Sequence, residues 1–230
     1  MSFNLYPQSA LGGVVSQIAP LSTRDRAEIV GGLAKRVHGI FASRKNQKSL
    51  PWRTSEEHDL FRLLEVDSSV LSFTAMPERV TYQQEGKTRS HVPAARVITK
   101  RGPVVLDAFP AYAMERRTQL IRLLTGVYAD RGIPYRALNS KSLRLRPRMD
   151  NAKHVLAHRC IAVPPGVDLA IQSMLSGHTS LTIGELADEL DHMPGIEGAV
   201  CAMALDGDLV LNLSALSPNE MRVSLPGGGA

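Results

Sequence analysis

The chain has 230 residues, of which 43% are hydrophobic and 21% are charged, a balance typical of a globular protein and unlike that of a disordered one. Aromatic residues make up only 5%, which leaves few stacking platforms for single-stranded nucleic acid, and two cysteines are too few for a disulfide framework or a cysteine-rich zinc site. No apolar run reaches the roughly 18 residues of a membrane helix. The N-terminus also lacks the pattern of a secretory signal, so we expect a cytoplasmic protein without a membrane partner.

The formal net charge of +5 is unevenly distributed along the chain. Residues 1–100 hold 14 basic and 9 acidic residues, residues 101–160 hold 12 and 4, and residues 161–230 hold 1 and 9. A basic region of this kind is typical of proteins that bind a polyanion, whereas the acidic region would repel phosphates. The alternative is that the two regions neutralise each other by docking.

The first 36 residues form a predicted N-terminal region. Residues 1–20 are small and polar, which predicts a loose tail. A short helix follows, with its N-cap at Ser22 or Thr23 and apolar residues at helical spacing. Beyond this region, residues 39–48 are predicted to form a basic loop.

A mixed α/β (α+β) domain is predicted over residues 37–163. A helix begins at Ser55, where acidic residues in the first turn favour a helix start. Later segments alternate with period two, which predicts strands, and a further helix and strand follow. The predicted strands are Val70–Thr74, Arg79–Gln83, Ala95–Thr99, Val104–Phe109 and Ile133–Leu138, and the further helix is Glu115–Tyr128.

The segment from Pro164 to Gly166 predicts a domain boundary, because proline and glycine break regular structure. Beyond it, three short helices and a β hairpin give the winged-helix pattern over residues 164–230. The predicted helices are Val167–Leu175, Thr182–Leu190 and Pro194–Leu205, and the hairpin joins Met203–Leu205 to Leu209–Leu213.

Several motifs between about residues 38 and 160 follow one another in a characteristic order and spacing. They are Gly39-x-Phe41-x-Ser43-x-Lys45-x-x-Lys48, Ser55-x-Glu57-His-Asp-Leu, Met76-Pro77, Arg131-Gly132-Ile133 and Leu145-Arg-Pro-Arg148. Together they resemble the TnsA-type endonucleases of cut-and-paste transposons. The resemblance implies a restriction-endonuclease-like mixed sheet flanked by helices, followed by a small winged-helix domain.

The same resemblance defines which residues a catalytic site would need. Enzymes of this fold hold Mg²⁺ with a glutamate on the first helix, a Pro-Asp before a strand and a Glu/Gln-x-Lys on the next strand, and the metal generates the attacking hydroxide. Here Glu57 is present, but Ala94 stands at the aspartate position and Asp107 is followed by Phe109 in place of lysine. Because an alanine offers no ligand and a phenylalanine no amine, we expect no catalysis, no resident metal and no cofactor. Glu57 and Asp107 would be vestigial, with Arg96 as the partner of Asp107.

Two other interpretations of these acidic residues stay open. Glu57 in the first turn of a helix is also typical of a surface residue that complements the helix dipole. Alternatively, the protein is an active Mg²⁺-dependent endonuclease that uses Glu57, Asp107 and a displaced residue such as Glu78 or Glu85.

Two groups of basic residues are candidates for contacts with duplex DNA. The residues from 141 to 148 fall mostly at alternate positions, so an extended segment would present them on one side. The candidates are Arg44, Lys45, Lys48, Lys141, Arg144, Arg146 and Arg148. The resemblance implies that these regions lie close to DNA, and the alternative is a solvated basic face without a partner.

The third helix of the predicted winged helix has no Lys or Arg between residues 194 and 207. It therefore lacks the arginine that reads guanine in the major groove, and a protein contact, either a homodimer or another protein, is favoured. The histidines and both cysteines show no zinc-site spacing and are assigned no metal. The favoured function is an inactive TnsA-like DNA-binding protein that acts with a protein partner as an architectural, targeting or regulatory factor. The alternative is an adaptor or inhibitor without DNA affinity.

Overall fold

The computed structural model describes residues 13–32 and 37–227, which form a mixed α/β protein. The helices are α1 (Thr23–Gly31), α2 (Ser55–Val66), α3 (Thr118–Ala129), α4 (Ser140–Leu143), α5 (Arg148–Ala157), α6 (Val167–Ser176), α7 (Ile183–Glu189) and α8 (Ile196–Asp206). The strands are β1 (Gly13–Pro20), β2 (Gly39–Ser43), β3 (Lys48–Trp52), β4 (Val70–Ala75), β5 (Glu78–Gln84), β6 (Lys87–His91), β7 (Ala95–Thr99), β8 (Gly102–Phe109), β9 (Tyr135–Asn139), β10 (Leu181–Thr182), β11 (Val210–Leu211) and β12 (Arg222–Ser224). Among the described residues, no helix combines the length and the apolar character that crossing a membrane requires.

The chain divides into two compact units, each made of segments that are not contiguous in sequence. Unit 1 comprises the described residues of Met1–Ala42, Ser49–Leu60 and Val70–Ser142. Unit 2 comprises those of Ser43–Lys48, Phe61–Ser69 and Leu143–Ala230. The predicted boundary at residue 164 falls inside unit 2, because α5 precedes it and belongs to that unit.

The central sheet of unit 1 has the strand order β4-β7-β8-β9. β7 is antiparallel to both β4 and β8, whereas β9 is parallel to β8 and is reached through helix α3. A parallel neighbour needs such a crossover, and α3 provides it with an apolar face that includes Leu120, Leu124 and Tyr128. This face packs in one core with Val105 of β8 and Tyr135 of β9.

Three sequence-based predictions for unit 1 were wrong at the level of strands. Residues 13–20 form β1, not a loose tail, because they pair antiparallel with β5, while residues 1–12 lie outside the described part. Residues 39–48 contain β2 and the start of a hairpin with β3, not a loop. Strand β6 was missed because its residues are polar and largely exposed, so it has no apolar pattern. The strand is defined by its pairing with β5 across the Glu85-Gly86 turn.

The segment 141–148 is not extended, which corrects the argument from alternate positions. Ser142 donates its backbone N–H to Asn139 Oδ1 at 3.0 Å, and this contact favours the short helix α4. The Arg146–Pro147 peptide bond is cis, and α5 begins directly after it. Alternate residues of this segment therefore do not share one side of a strand.

The three helices predicted after residue 166 are present in unit 2 as α6, α7 and α8. α7 begins with a reciprocal cap in which Thr182 and Glu185 exchange hydrogen bonds. The predicted hairpin was wrong, because helix α8 continues as far as Asp206. Gly207, whose φ is near +90°, ends this helix. β11 pairs instead with β12, in a small antiparallel sheet of order β10-β12-β11.

Candidate functional site

The positions of the predicted nuclease motif come together in unit 1. Glu57 lies in the first turn of α2, Ala94 directly precedes β7, and Asp107 lies near the end of β8. Asp107 Oδ1 accepts a hydrogen bond of 2.9 Å from the Ala94 N–H, so these two positions are adjacent. Arg53 connects Glu57 to the same region, because its Nη2 also donates to the Val92 carbonyl at 2.9 Å.

Arg53 satisfies the carboxylate of Glu57 within the fold. The Glu57 side chain is only 5% exposed, and Oε1 accepts from Arg53 Nε at 2.9 Å and forms an ion pair with Nη2. The other oxygen, Oε2, accepts from the Arg53 backbone N–H at 2.7 Å, and the Glu57 N–H donates to Thr54 Oγ1 at the helix start. The Thr54 hydroxyl therefore caps α2, and the Glu57 carboxylate holds the guanidinium and the backbone of Arg53, which differs from the interpretation of Glu57 as a surface residue.

Asp107 is also surrounded by internal donors. Its side chain is 2% exposed, and Oδ2 lies 2.7 Å from His91 Nε2 and 2.7 Å from the Tyr135 hydroxyl. Burial, followed by the charge of Asp107, raises the pKa of Tyr135 well above its ordinary value, so the hydroxyl stays protonated and donates. With the Ala94 N–H, three donors share the two oxygens of this carboxylate.

The predicted pair between Arg96 and Asp107 was wrong. Arg96 Nη2 instead contacts both carboxylate oxygens of Glu78, at 2.8 and 2.9 Å. The physical reason is that His91, Tyr135 and the Ala94 N–H already saturate Asp107, whereas buried Glu78 needs a counter-charge.

Two stacked tyrosines link the Glu78 pair to Asp107. The Tyr128 hydroxyl donates to Glu78 Oε1 at 2.6 Å, and its ring stacks on that of Tyr135 with centroids 5.8 Å apart. Burial, reinforced by the bond to Glu78, raises the pKa of Tyr128 strongly. Glu78 is thus committed to an internal network, while Glu85, the other displaced candidate, is exposed in the β5–β6 turn.

Phe109 occupies the position where the endonuclease pattern has lysine. The guanidinium of Arg117 lies over its ring, 5.6 Å from the centroid, and the His91 ring is 6.2 Å away. Positive charge is therefore present near this position, but on an arginine from the segment before α3.

These residues do not fit a divalent metal ion. Mg²⁺ requires free oxygen ligands in near-octahedral geometry, and here both oxygens of Glu57 and of Asp107 accept hydrogen bonds from protein donors. A metal would have to displace Arg53 and His91, and Ala94 offers no side-chain ligand in exchange. The arrangement is a buried network of compensated charges.

Two of the predicted DNA contacts are engaged inside unit 2. Arg44 Nη2 pairs with Asp206, and Nη1 donates to the Arg159 carbonyl at 2.6 Å. Lys45 Nζ donates to two carbonyls at the C-terminus of α2, those of Leu64 at 3.0 Å and Asp67 at 2.6 Å, and burial lowers its pKa.

The other five predicted contacts are exposed, and their role in DNA binding stays a prediction. Lys48, Arg144, Arg146 and Arg148 belong to unit 2, and Lys141 belongs to unit 1. Arg146 lies 3.1 Å from Asp150 in an exposed pair, which is a weak interaction in water.

Sequence reasoning missed a larger group of basic residues in unit 1. This unit carries 17 Lys and Arg against 10 Asp and Glu, and five of its acidic residues are buried. The buried acidic residues are Glu56, Glu57, Asp59, Glu78 and Asp107. Eight exposed basic residues cluster in sequence: Lys100, Arg101, Arg116, Arg117, Arg122, Arg131, Arg136 and Lys141. The net charge of residues 101–160 was the available signal, but only burial shows which acidic residues leave the surface.

Comparison of the chain with protein-family models gave no match, and comparison with curated proteins gave none either.

Proposed function

We propose that this chain is a cytoplasmic, catalytically inactive TnsA-like protein that binds duplex DNA through unit 1. With a protein partner, it would act as an architectural, targeting or regulatory factor. The observation that carries the proposal is that the fold buries five of the ten acidic residues of unit 1, which leaves an excess of exposed basic side chains.

The topology supports the nuclease-like origin of unit 1. Helix α2, strands β4, β7 and β8, helix α3 and strand β9 follow one another, with the β5–β6 hairpin inserted after β4. Glu57 lies on α2, Ala94 directly precedes β7 and Asp107 lies on β8, an arrangement that supports comparison with the endonuclease pattern. The bond from the Ala94 N–H to Asp107, and that from Arg53 to the carbonyl of Val92 two residues before Ala94, support this comparison.

The compensated charges of this site support the proposal that the protein is inactive. A guanidinium beside Glu57 and an imidazole and a phenol beside Asp107 supply the positive and donor groups that a cation would otherwise supply. Because these donors hold the oxygens of both carboxylates, the site does not offer the ligands with which Mg²⁺ would activate water.

Duplex DNA is the polyanion that best fits the exposed basic residues. Arginine and lysine contact phosphates of any sequence, and the few aromatic residues argue against a single-strand platform. Residues 100–141 include eight exposed basic residues and only two exposed acidic ones, Glu115 and Asp130. A surface of this sign attracts DNA at low ionic strength.

A protein partner fits the end of the chain better than DNA does. Residues 161–230 contain nine acidic residues and a single basic one, Arg222. Helix α8 has no basic side chain, and most of its residues are buried within unit 2. The exposed acidic residues of this region therefore suit a basic protein surface or a second copy of the chain.

The test is binding of a labelled random-sequence duplex, with and without Mg²⁺, followed by a denaturing gel. We expect saturable binding and intact strands under both conditions. The variant Arg122→Glu, exposed in α3, should weaken binding at least tenfold, while Arg222→Glu is the control with the same change of charge in unit 2.

Two results would contradict the proposal. Strand breaks that need Mg²⁺ and disappear in Glu57→Gln/Asp107→Asn would show an active nuclease. Absence of binding at low salt, or equal weakening by Arg222→Glu, would remove unit 1 as the DNA-binding surface and favour the adaptor interpretation.

A further inference from the structure

A second cluster of functional side chains lies in unit 2, away from the nuclease-like positions. His154 lies in the last turn of α5, His158 is the residue that directly follows this helix, and Cys201 lies on α8. Their potential ligand atoms all lie within 4.8 Å of one another, and Cys201 is buried. The spacing along the chain does not predict this grouping, because 42 residues separate His158 from Cys201.

The orientation of both histidine rings suits a ligand role. His158 Nδ1 lies 3.0 Å from the His154 carbonyl, which can only accept, so Nδ1 carries a proton and Nε2 is left as the ligand atom. His154 Nε2 is buried and lies 2.8 Å from Glu197 Oε1, yet the direction of this contact is unsuitable for a hydrogen bond. A buried ring nitrogen without a hydrogen bond indicates that a partner is missing.

The two helices present these groups with matching spacing. His154 in α5 and His158 at its C-cap are four residues apart, and on α8 Glu197 and Cys201 have the same separation. Gly198 lies between them on α8 and allows close packing, since a Cβ there would lie 3.3 Å from His158 Cδ2 and 2.7 Å from Ile161 Cδ1.

We propose that His154, His158 and Cys201 bind a divalent zinc ion that fastens α5 to α8, with Glu197 available as the fourth ligand. Imidazole and thiolate are the ligands that Zn²⁺ prefers in proteins. With bond lengths of about 2.0 Å to nitrogen and 2.3 Å to sulfur, tetrahedral ligands lie about 3.3–3.8 Å apart. Side-chain movements of about 1 Å therefore close the cluster around the ion.

The site would be structural, not catalytic. All four side chains lie in unit 2, whose helices are short and whose sheet has strands of two or three residues. Small units of this kind gain folding free energy from a metal that joins distant segments. This inference does not depend on DNA binding.

The test uses the 230-residue chain, kept reduced and stripped of metal with a chelator, and titrated with Co²⁺ as a spectroscopic substitute for zinc. We expect one ion per chain, a thiolate-to-cobalt charge-transfer band, and displacement by Zn²⁺ with a rise in Tm. Cys201→Ser should abolish the charge-transfer band, and His158→Gln should lower the affinity by at least about tenfold. Cys160→Ser, which changes the exposed cysteine, is the matched control and should bind like the wild type.

Circular dichroism of the metal-free variants separates loss of binding from loss of folding. If Cys201→Ser fails to fold, His158→Gln and the wild-type spectrum decide the question. The proposal is overturned if the wild type shows no saturable binding, if Cys201→Ser retains the charge-transfer band, or if Cys160→Ser is the variant that loses it.

Discussion

A buried carboxylate needs a counter-charge, and in this protein a single arginine supplies it for Glu57. Arg53 contacts Glu57 through its guanidinium and its backbone N–H, and the two side chains are only 17% and 5% exposed. Removal of one partner of such a pair lowers the free energy of unfolding, because the other charge then stays buried without a counter-charge.

We therefore predict that Arg53→Met destabilises the protein by about 3 kcal/mol, measured as the free energy of unfolding in urea. The double variant Arg53→Met/Glu57→Gln should recover part of this loss, because it removes the unpaired charge as well. Arg24→Met is the matched control, since Arg24 and Glu28 have the same four-residue separation but are 88% and 64% exposed. A loss of equal size in the control would mean that burial does not determine the effect.

The chemistry of single residues was only partly predictable from the sequence. The absence of a ligand at Ala94 and of an amine at Phe109 follows directly from residue identity. The partners of the remaining carboxylates do not, because they depend on tertiary structure. His91 belongs to β6, a strand without an apolar pattern, and it reaches Asp107 only once β5, β6 and β8 are in place.

At the scale of elements, two glycines differ in the space that a side chain would find at their positions. A Cβ on Gly39 in β2 would lie 2.6 Å from Trp52 Cζ2, and the Trp52 ring is itself stacked on His58 at 4.7 Å. A Cβ on Gly126, inside α3, would meet nothing within 4 Å.

These surroundings predict changes of opposite sign for the same substitution. Gly39→Ala should destabilise the protein by about 1–3 kcal/mol, because the stacked ring has no room to retreat. Gly126→Ala should stabilise it by about 0.5–1 kcal/mol, because alanine loses less backbone entropy in a helix. Thermal and urea unfolding measure both variants, and a destabilised Gly126→Ala would contradict the open space beside α3.

Elements with local signals were predicted well, and elements held by distant partners were not. The helices α1 and α7 begin at reciprocal caps, and the capping residues Ser22 and Thr182 are recognisable in the sequence. Strand β1 has no such signal, since its position depends on pairing with β5, whose residues lie 58 to 71 positions later in the chain. The same reason explains β12, which replaced the predicted hairpin partner in unit 2.

At the scale of the whole molecule, the two units differ in the sign of their net charge. Unit 1 has a net charge of +7 and unit 2 of −2, and the burial of five acidic residues makes the surface of unit 1 more basic than its composition. If unit 1 contacts about six phosphates, the logarithm of the binding constant should fall with the logarithm of salt concentration with a slope of about −5.

We predict that each basic residue removed from the contact surface reduces this slope by about 1. Arg122→Ala and Arg136→Ala, both exposed in unit 1, should each do so, whereas Arg222→Ala should leave the slope unchanged. Binding titrations at several NaCl concentrations give the slopes. A slope that is the same in all variants would mean that other residues hold the DNA.

The alternation of the chain between the two units limits how such a protein can evolve. The chain crosses from one unit to the other five times, and helix α2 is itself divided, with its first half in unit 1 and its second half in unit 2. No single cut therefore yields two complete units, and a gene fusion or exchange at any one point would transfer an incomplete part. The two units are inherited together, and a lineage that acquires one of them by recombination acquires the other.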